Sequence, residues 1–165
     1  MTHRLLTVKQ PWAQPIVDGH KTVENRSGGF GRNYRGPLWI HAGAVWSTRG
    51  AQSQLVVDTY RSASINGRLF GDRVDRSHFP TGVVLGVVDV VDAHHAEPGC
   101  CDSLWAEQTY TEAGGRTVTR IVHLVLANPR PVQSDLRVPG ALGLWTSDRV
   151  PGLTEELDAL TQEIT

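Results

Sequence analysis

Apolar residues along this chain come in short runs broken by glycine, proline and charge, and the period within each run separates strands from helices. Leu5 to Val8 (LLTV) is the first such run and predicts a strand. Over PWAQPIVDG the spacing predicts a short helix, with Gln10 as a modest cap, Pro11 in the first turn and Gly19 at the C′ position. Trp12 and Ile16 share one face of it, and Pro15 removes a helical donor and should bend the segment. KTVEN then reads as a strand; with Val23 toward the core, alternation places Thr22, Glu24 and Arg26 on the opposite face, and Lys21 sits at the turn before it.

After the glycine-rich, basic loop SGGFGRNYRG, PLWIHAGA predicts a second strand in which either Trp39 or Ile40 points outward. Ser47 to Ile65 contains a helix, with Leu55, Val56 and Tyr60 near helical spacing, and Asn66 to Pro80 reads as a loop. VVLGVVDVVDA is the strongest strand signal, TRIVHLVLANP is another, and ALGLW is short and extended. GCCDSLWAEQTY predicts a short helix, and LTEELDALTQEI a terminal amphipathic helix with acidic residues in its first turn. Four or five strands with unevenly spaced helices argue for a compact α+β domain or partly open barrel.

Length and composition narrow this picture. At 165 residues, 39% hydrophobic and 20% charged, the chain is expected to form one globular domain. No apolar run approaches the roughly 18 residues of a membrane span, so no membrane partner is expected. The N-terminal MTHRLLTVKQPW carries no signal-peptide pattern, and the only cysteines are the adjacent Cys100 and Cys101, a poor basis for a disulfide; a cytoplasmic location is the default expectation. The net charge of −1 hides an asymmetry: residues 1–80 hold eleven Lys/Arg and five Asp/Glu, residues 81–165 five and twelve. If Arg26, Arg32, Arg35 and Arg49 converge, they offer a local field for a phosphate-bearing partner; otherwise the two halves simply neutralise one another.

Candidate chemistry centres on Lys21. The chain has fourteen arginines and two lysines, and a lysine amine, unlike a guanidinium, can lose its proton when desolvated. Lys21, Glu24 and Arg26 would hold a planar polar ligand such as a nucleobase, or do acid–base work, or merely pair on a solvated strand edge. Among five tryptophans, Trp12 and Trp145 are the preferred ligand-facing candidates, since aromatic faces beside basic groups hold unpaired bases. Arg35 and His41 complete the candidate lining, although a strand histidine such as His41 is more often a hydrogen-bonded structural residue. Gly28, Gly29, Gly31 and Gly36 read as a mobile loop before an anion nest. His94, His95, Cys100 and Cys101 invite a zinc reading, but adjacent pairs suit one tetrahedral site poorly, so no metal and no cofactor are expected. Serine- or cysteine-triad signatures are absent.

LTVKQPWAQPIVDGHKTVENRS, GPLWIHAGA, FPTGVVLGVVDVVDA and LANPRPV…VPGALGLW together resemble the ASCH domain (activating signal cointegrator homology) family, from about Leu5 to Trp145. The sharpest matches are Gln10-Pro11-Trp12-Ala13 and the Gly-x-Lys-x-x-Glu-x-Arg string of Gly19, Lys21, Glu24 and Arg26. The chain looks most similar to the ASCH domain of the transcriptional coactivator that names the family, as a stand-alone bacterial version. The resemblance implies a PUA-like β-barrel of five or six strands with flanking helices over residues 1–149, with a C-terminal helix at 150–165 beside it. It also implies binding of RNA or other single-stranded nucleic acid, or of a modified nucleoside, in a cleft holding Lys21, Glu24 and Arg26 with Gln10 and Trp12 nearby. Other branches imply a hydrolase: an amidohydrolase on N4-acetylcytidine, using a lysine, a threonine and a glutamate, or a metal-independent ribonuclease. Here Lys21 matches the lysine, Glu24 stands at the threonine position, and Asp89 or Asp92 would have to replace the glutamate. Whether the chain is an enzyme stays open at this point, as does a role as a protein-interaction module in transcription.

Overall fold

The computed structural model describes residues 1–29, 31–62, 69–70, 73–112 and 114–164. Along the chain run β1 (Arg4–Lys9), α1 (Ala13–Val17), β2 (Val23–Ser27), β3 (Gly36–Gly43), α2 (Thr48–Ala51), α3 (Gln54–Ser62), β4 (Leu69–Phe70) and β5 (Arg73–Val74). They are followed by β6 (Val83–His95), β7 (Tyr110–Thr111), β8 (Thr117–Val118), β9 (Ile121–Pro131), β10 (Leu144–Thr146) and α4 (Leu153–Glu163). Six strands form one sheet in the order β10-β1-β3-β6-β9-β2, curled into a half-barrel, while β4-β5 and β7-β8 are separate two-stranded ribbons. The β1–β3 pairing is parallel and the remaining pairings of the main sheet are antiparallel. This α+β half-barrel matches the fold class expected from the pattern.

The long strands bend where their pairing slips. Register shifts fall between Ile40 and His41 of β3 and twice in β6, between Val87 and Asp89 and between Val90 and Asp92. Such bulges increase local twist and let a sheet curl. At Gly86 a Cβ atom would lie 2.5 Å from the Arg130 carbonyl oxygen, so the closest approach of β6 to β9 requires glycine.

Burial on both faces of the sheet explains the continuous apolar runs. Leu6, Ile40 and Leu124 pack with Ile16 of α1 inside the curl. Leu5, Trp39 and Trp145 face the other way and pack with Leu153 and Leu157 of α4. Trp39 and Ile40 are thus both buried, against the expectation that one points outward, because α4 and the segment before it cover the outer face. Val23, Val56, Tyr60, Phe79 and Trp105 make a third cluster that seats α3 against β2.

Pro15 is the third residue of α1, in the first turn, where its missing N–H has no intrahelical partner to lose. Gly19 follows the helix with φ of +82°, as expected of C′. The helical stretch expected after Ser47 is split into α2, capped by the Ser47 hydroxyl on the Gly50 amide, and α3; its last residues lie outside the described ones. GCCDSLWAEQTY is not helical. Gly99 turns the chain with φ of +76°, and side chains of the sheet hold the backbone that follows: Asn25 bonds the Trp105 carbonyl and the Glu107 amide, and His123 the Glu107 carbonyl. No helix among the described residues is long and apolar enough to cross a membrane.

Candidate functional site

A cleft of about 640 Å³ opens where the end of β1, the turn before α1, β2 and the segment entering α2 meet. Its polar floor comes from β2 and the turn before it. Lys21 is 3% exposed, and its Nζ donates to Glu24 Oε2 at 2.5 Å and to the Val23 carbonyl at 2.7 Å. An ammonium has three donors and no acceptor, so these two bonds leave one hydrogen over, and the centre of the Trp105 ring lies 6.0 Å from Nζ. Glu24 is 6% exposed, and its Oε1 lies 3.4 Å from the half-buried Arg26 guanidinium. Strand alternation puts Glu24 and Arg26 on one face, and Gly19 turns the chain so that Lys21 joins them.

The walls are aromatic. Trp12 donates from Nε1 to the Ser47 hydroxyl at 3.0 Å, and the Gly50 backbone packs so closely that a Cβ there would meet the indole nitrogen at 2.8 Å. Arg49 stacks between Trp12 and Tyr110, its guanidinium carbon 4.8 and 4.6 Å from the two ring centres. Glu107 fixes that plane with paired contacts of 2.6 and 3.0 Å. Trp46 lines the cleft as well, edge-to-face with Phe79, and the exposed Val45 and Leu142 lie at the rim. A smaller adjoining cavity of about 360 Å³ shares Trp12, Lys21 and Arg49 with the first.

Of the eight residues singled out from sequence, Trp12, Lys21, Glu24 and Arg26 come together in this cleft. Four do not line it. Gln10 is fully buried and acts as a cap, accepting the Gln14 amide and donating to the Pro80 carbonyl. Arg35 lies on another edge, bonded to Asp92 at 2.6 Å and to the Ala93 carbonyl. His41 and Trp145 are buried at 1% and 3% exposure around Thr7. The Thr7 hydroxyl accepts from Trp145 Nε1 at 3.1 Å and from the Ala141 amide at 3.2 Å, and it meets His41 Nδ1 at 3.2 Å; His41 Nε2 meets the Val138 carbonyl at 3.0 Å. That hydroxyl's one donor and two acceptor sites are all used. Burial lowers the His41 pKa, in keeping with a neutral ring that donates through Nε2 and accepts at Nδ1. Thr7 touches the cleft wall, but its hydroxyl is spent on this network.

Arg26 and Arg49 converge on the cleft, whereas Arg32 and Arg35 pair with His95 and Asp92 instead. Asp89 is engaged by Arg130 and Asn128, so neither aspartate offered as a substitute glutamate lines the cleft. Gly28, Gly29 and Gly31 take left-handed turns away from it. Trp46, Glu107 and Tyr110 are not among the residues singled out from sequence. An aromatic followed closely by arginine at the end of a strand, Trp46 to Arg49, is a signal that finds the first; Glu107 and Tyr110 sit on an irregular segment with no local signature.

A model of the ASCH domain matches residues 6–125. Activating signal cointegrator 1 of Homo sapiens is 29% identical over 144 residues, which are 87% of this chain and 22% of that protein; the Mus musculus protein is 28% identical with the same coverage. The chain thus spans 22% of the length of these relatives. A crystal structure of a ZmASCH mutant protein from Zymomonas mobilis superposes with a TM-score of 0.53 over 96% of this chain and 97% of that one, at 14% identity, a likeness of fold alone.

Proposed function

The chain belongs to the ASCH domain family, and from that premise we propose that its cleft binds single-stranded RNA by taking in an unpaired nucleobase. The observation that carries this reading is the buried Lys21–Glu24–Arg26 group at the floor of a cleft walled by Trp12, Trp46 and the Arg49–Tyr110 stack. A base has two aromatic faces and an edge of donors and acceptors. The indoles supply stacking worth about 1–3 kcal/mol per base. Lys21 and Arg26 supply donors for a carbonyl or phosphate, and Glu24 keeps lone pairs for an exocyclic amine. Lys9, Lys21, Arg26 and Arg49 outnumber Glu24, Glu107 and Glu112 around the opening by one charge, with Lys9 outside the Lys21–Glu24–Arg26 and Arg49–Glu107 ion pairs, a small positive excess that suits a backbone entering a local groove on a protein of net charge −1.

The test is fluorescence anisotropy of a labelled single-stranded RNA against increasing salt, with the wild type, Arg26→Ala and Trp46→Ala. Binding that weakens with salt at a slope of about −0.7 per phosphate contact, and that falls in both variants at unchanged melting temperature, is expected. RNA affinity equal in all three folded proteins would sink the reading.

The Lys21–Glu24 contact also favours a second reading, hydrolysis of an N4-acylated cytidine or of RNA itself, because a desolvated amine beside a carboxylate is a proton-transfer pair. Chromatography after incubation with N4-acetylcytidine separates the two. Cytidine release that depends on Lys21 would make the cleft catalytic, and intact substrate with a folded protein leaves recognition as its role.

A further inference from the structure

On the face of β2 and β9 away from Glu24, the structure gathers His94, Cys100, Cys101 and His123, whose ligand atoms all lie within 4.8 Å of one another. The sequence pairs His94 with His95, but alternation sends His95 outward to Arg32, and the fourth member comes from the neighbouring strand, where His123 is the register partner of His94. We propose that these four residues form a structural zinc site that clamps the 96–109 segment to the sheet.

Distances and donor chemistry both fit. Cys100 Sγ and Cys101 Sγ are 3.6 Å apart, His123 Nδ1 is 3.3 and 3.4 Å from them, and His94 Nε2 is 3.1 Å from Cys101 Sγ. Zinc bonds of about 2.3 Å to sulfur and about 2.0 Å to nitrogen give tetrahedral edges of about 3.3–3.8 Å. All four ligand atoms already lie within 4.8 Å of one another, so closing to that geometry asks for side-chain adjustment of about 1 Å at most. Two thiolates and two imidazoles in a tetrahedral set select zinc over hard divalent ions.

The ring orientations are independent support. His123 Nε2 meets the Glu107 carbonyl at 2.9 Å, and a carbonyl can only accept, so the proton sits on Nε2 and the Nδ1 lone pair faces the sulfurs. His94 Nδ1 meets the Asp92 carboxylate at 2.6 Å, which leaves its Nε2 lone pair toward Cys101. Metal-bound histidines are held in this way, by a carbonyl or carboxylate on the other nitrogen. Asp92 is in turn fixed by Arg35 at 2.6 Å, which gives that arginine a place outside the cleft.

Four protein ligands leave no open position, the signature of a structural site. What such a clamp would fix is the segment carrying Trp105, which is buried against Val23, and Glu107, which holds Arg49 in plane. The zinc would thus set one wall of the cleft from behind.

The protein purified under reducing conditions is expected to carry one zinc per chain by elemental analysis, and Cys100→Ser/Cys101→Ser to carry none. To separate metal loss from misfolding of that variant, the wild type is also stripped with chelator and titrated with cobalt(II). Thiolate charge-transfer and intense tetrahedral ligand-field bands that saturate at one equivalent are expected, and hydrogen exchange in residues 100–109 should slow on zinc addition while the centre of β9 stays unchanged. Folded, reduced wild type that takes up no zinc and shows no such bands overturns the proposal. So does a metal content unaffected by loss of both thiols.

Discussion

The groups around Lys21, at the turn entering β2, and around His41, within β3, are both polar, both withdrawn from water and both marked as candidates by the sequence, yet they dispose of their hydrogen bonds differently. Around His41 the Thr7 hydroxyl, the Trp145 indole, the Ala141 amide and the Val138 carbonyl form a closed circuit. Around Lys21 the amine and carboxylate satisfy one another only in part and face an open cleft beside stacked aromatics. A buried polar group whose valences are all met inside the protein stabilises one packing arrangement. One that retains a donor toward a cavity is placed to meet something from outside. The residue types do not make that distinction; the disposal of their donors does.

The strongest way to break the comparison is Lys21→Met. It leaves Glu24 buried with Arg26 alone, and losing one partner of a buried pair costs about 3–5 kcal/mol of stability, read by denaturant unfolding. Lys21→Met/Glu24→Gln should regain most of that stability while RNA affinity stays down by about tenfold or more. A double variant that recovers binding together with stability would make the pair structural, like His41. His41→Leu is the converse test. The Thr7 hydroxyl proton loses its acceptor and the Val138 carbonyl its donor, each costing about 1–3 kcal/mol, and anisotropy at matched folded fraction should show RNA affinity unchanged.

Tryptophans sharpen the same contrast at smaller cost. Trp12→Ala should weaken RNA binding by about 1–3 kcal/mol, the worth of one stacked base. Trp145→Phe should cost about 1 kcal/mol of stability, one hydrogen bond to Thr7, with no change in binding. The smallest effect is in pH. Because burial lowers the folded-state pKa of His41 below the 6.5 of a free imidazole, the unfolded chain takes up the proton first. The stability attached to neutral His41 is therefore complete above about pH 6.5 and is lost as pH falls toward the folded value. The stability gap between wild type and His41→Leu should accordingly narrow from about pH 8 to about pH 5, and a gap independent of pH would show that the ring does not titrate with folding.

Much of the fold was legible in the sequence because the strong strands are locally consistent. The runs at Leu5, Leu38, Val83 and Ile121 are apolar and β-branched, and each appears where it reads. What escaped depends on partners far along the chain. That Trp39 is buried follows from α4, which begins 114 residues later. That GCCDSLWAEQTY is not a helix follows from Asn25 and His123 satisfying its backbone from the sheet. In the cleft, Lys21, Glu24 and Arg26 are close in sequence, so alternation and one glycine turn suffice to place them. Arg35 and Trp145 share composition with a ligand site but have their bonds met elsewhere, and no local pattern reveals that, whereas Gln10 is legible as a cap from its place before the helix and His41 as a hydrogen-bonded strand histidine. The Arg49–Glu107 clamp joins positions 58 apart and was illegible for the same reason.

The most direct measurement is photocrosslinking of the wild type to a single-stranded RNA containing 4-thiouridine, with the modified peptides read by mass spectrometry. The expected result is crosslinks confined to the peptides carrying Trp12, Trp46 and Tyr110, competed by unlabelled RNA. Crosslinks on the peptides of α4 or on those holding Arg32 and Arg35, with none in the cleft, would contradict the assignment of the cleft as the RNA-binding face.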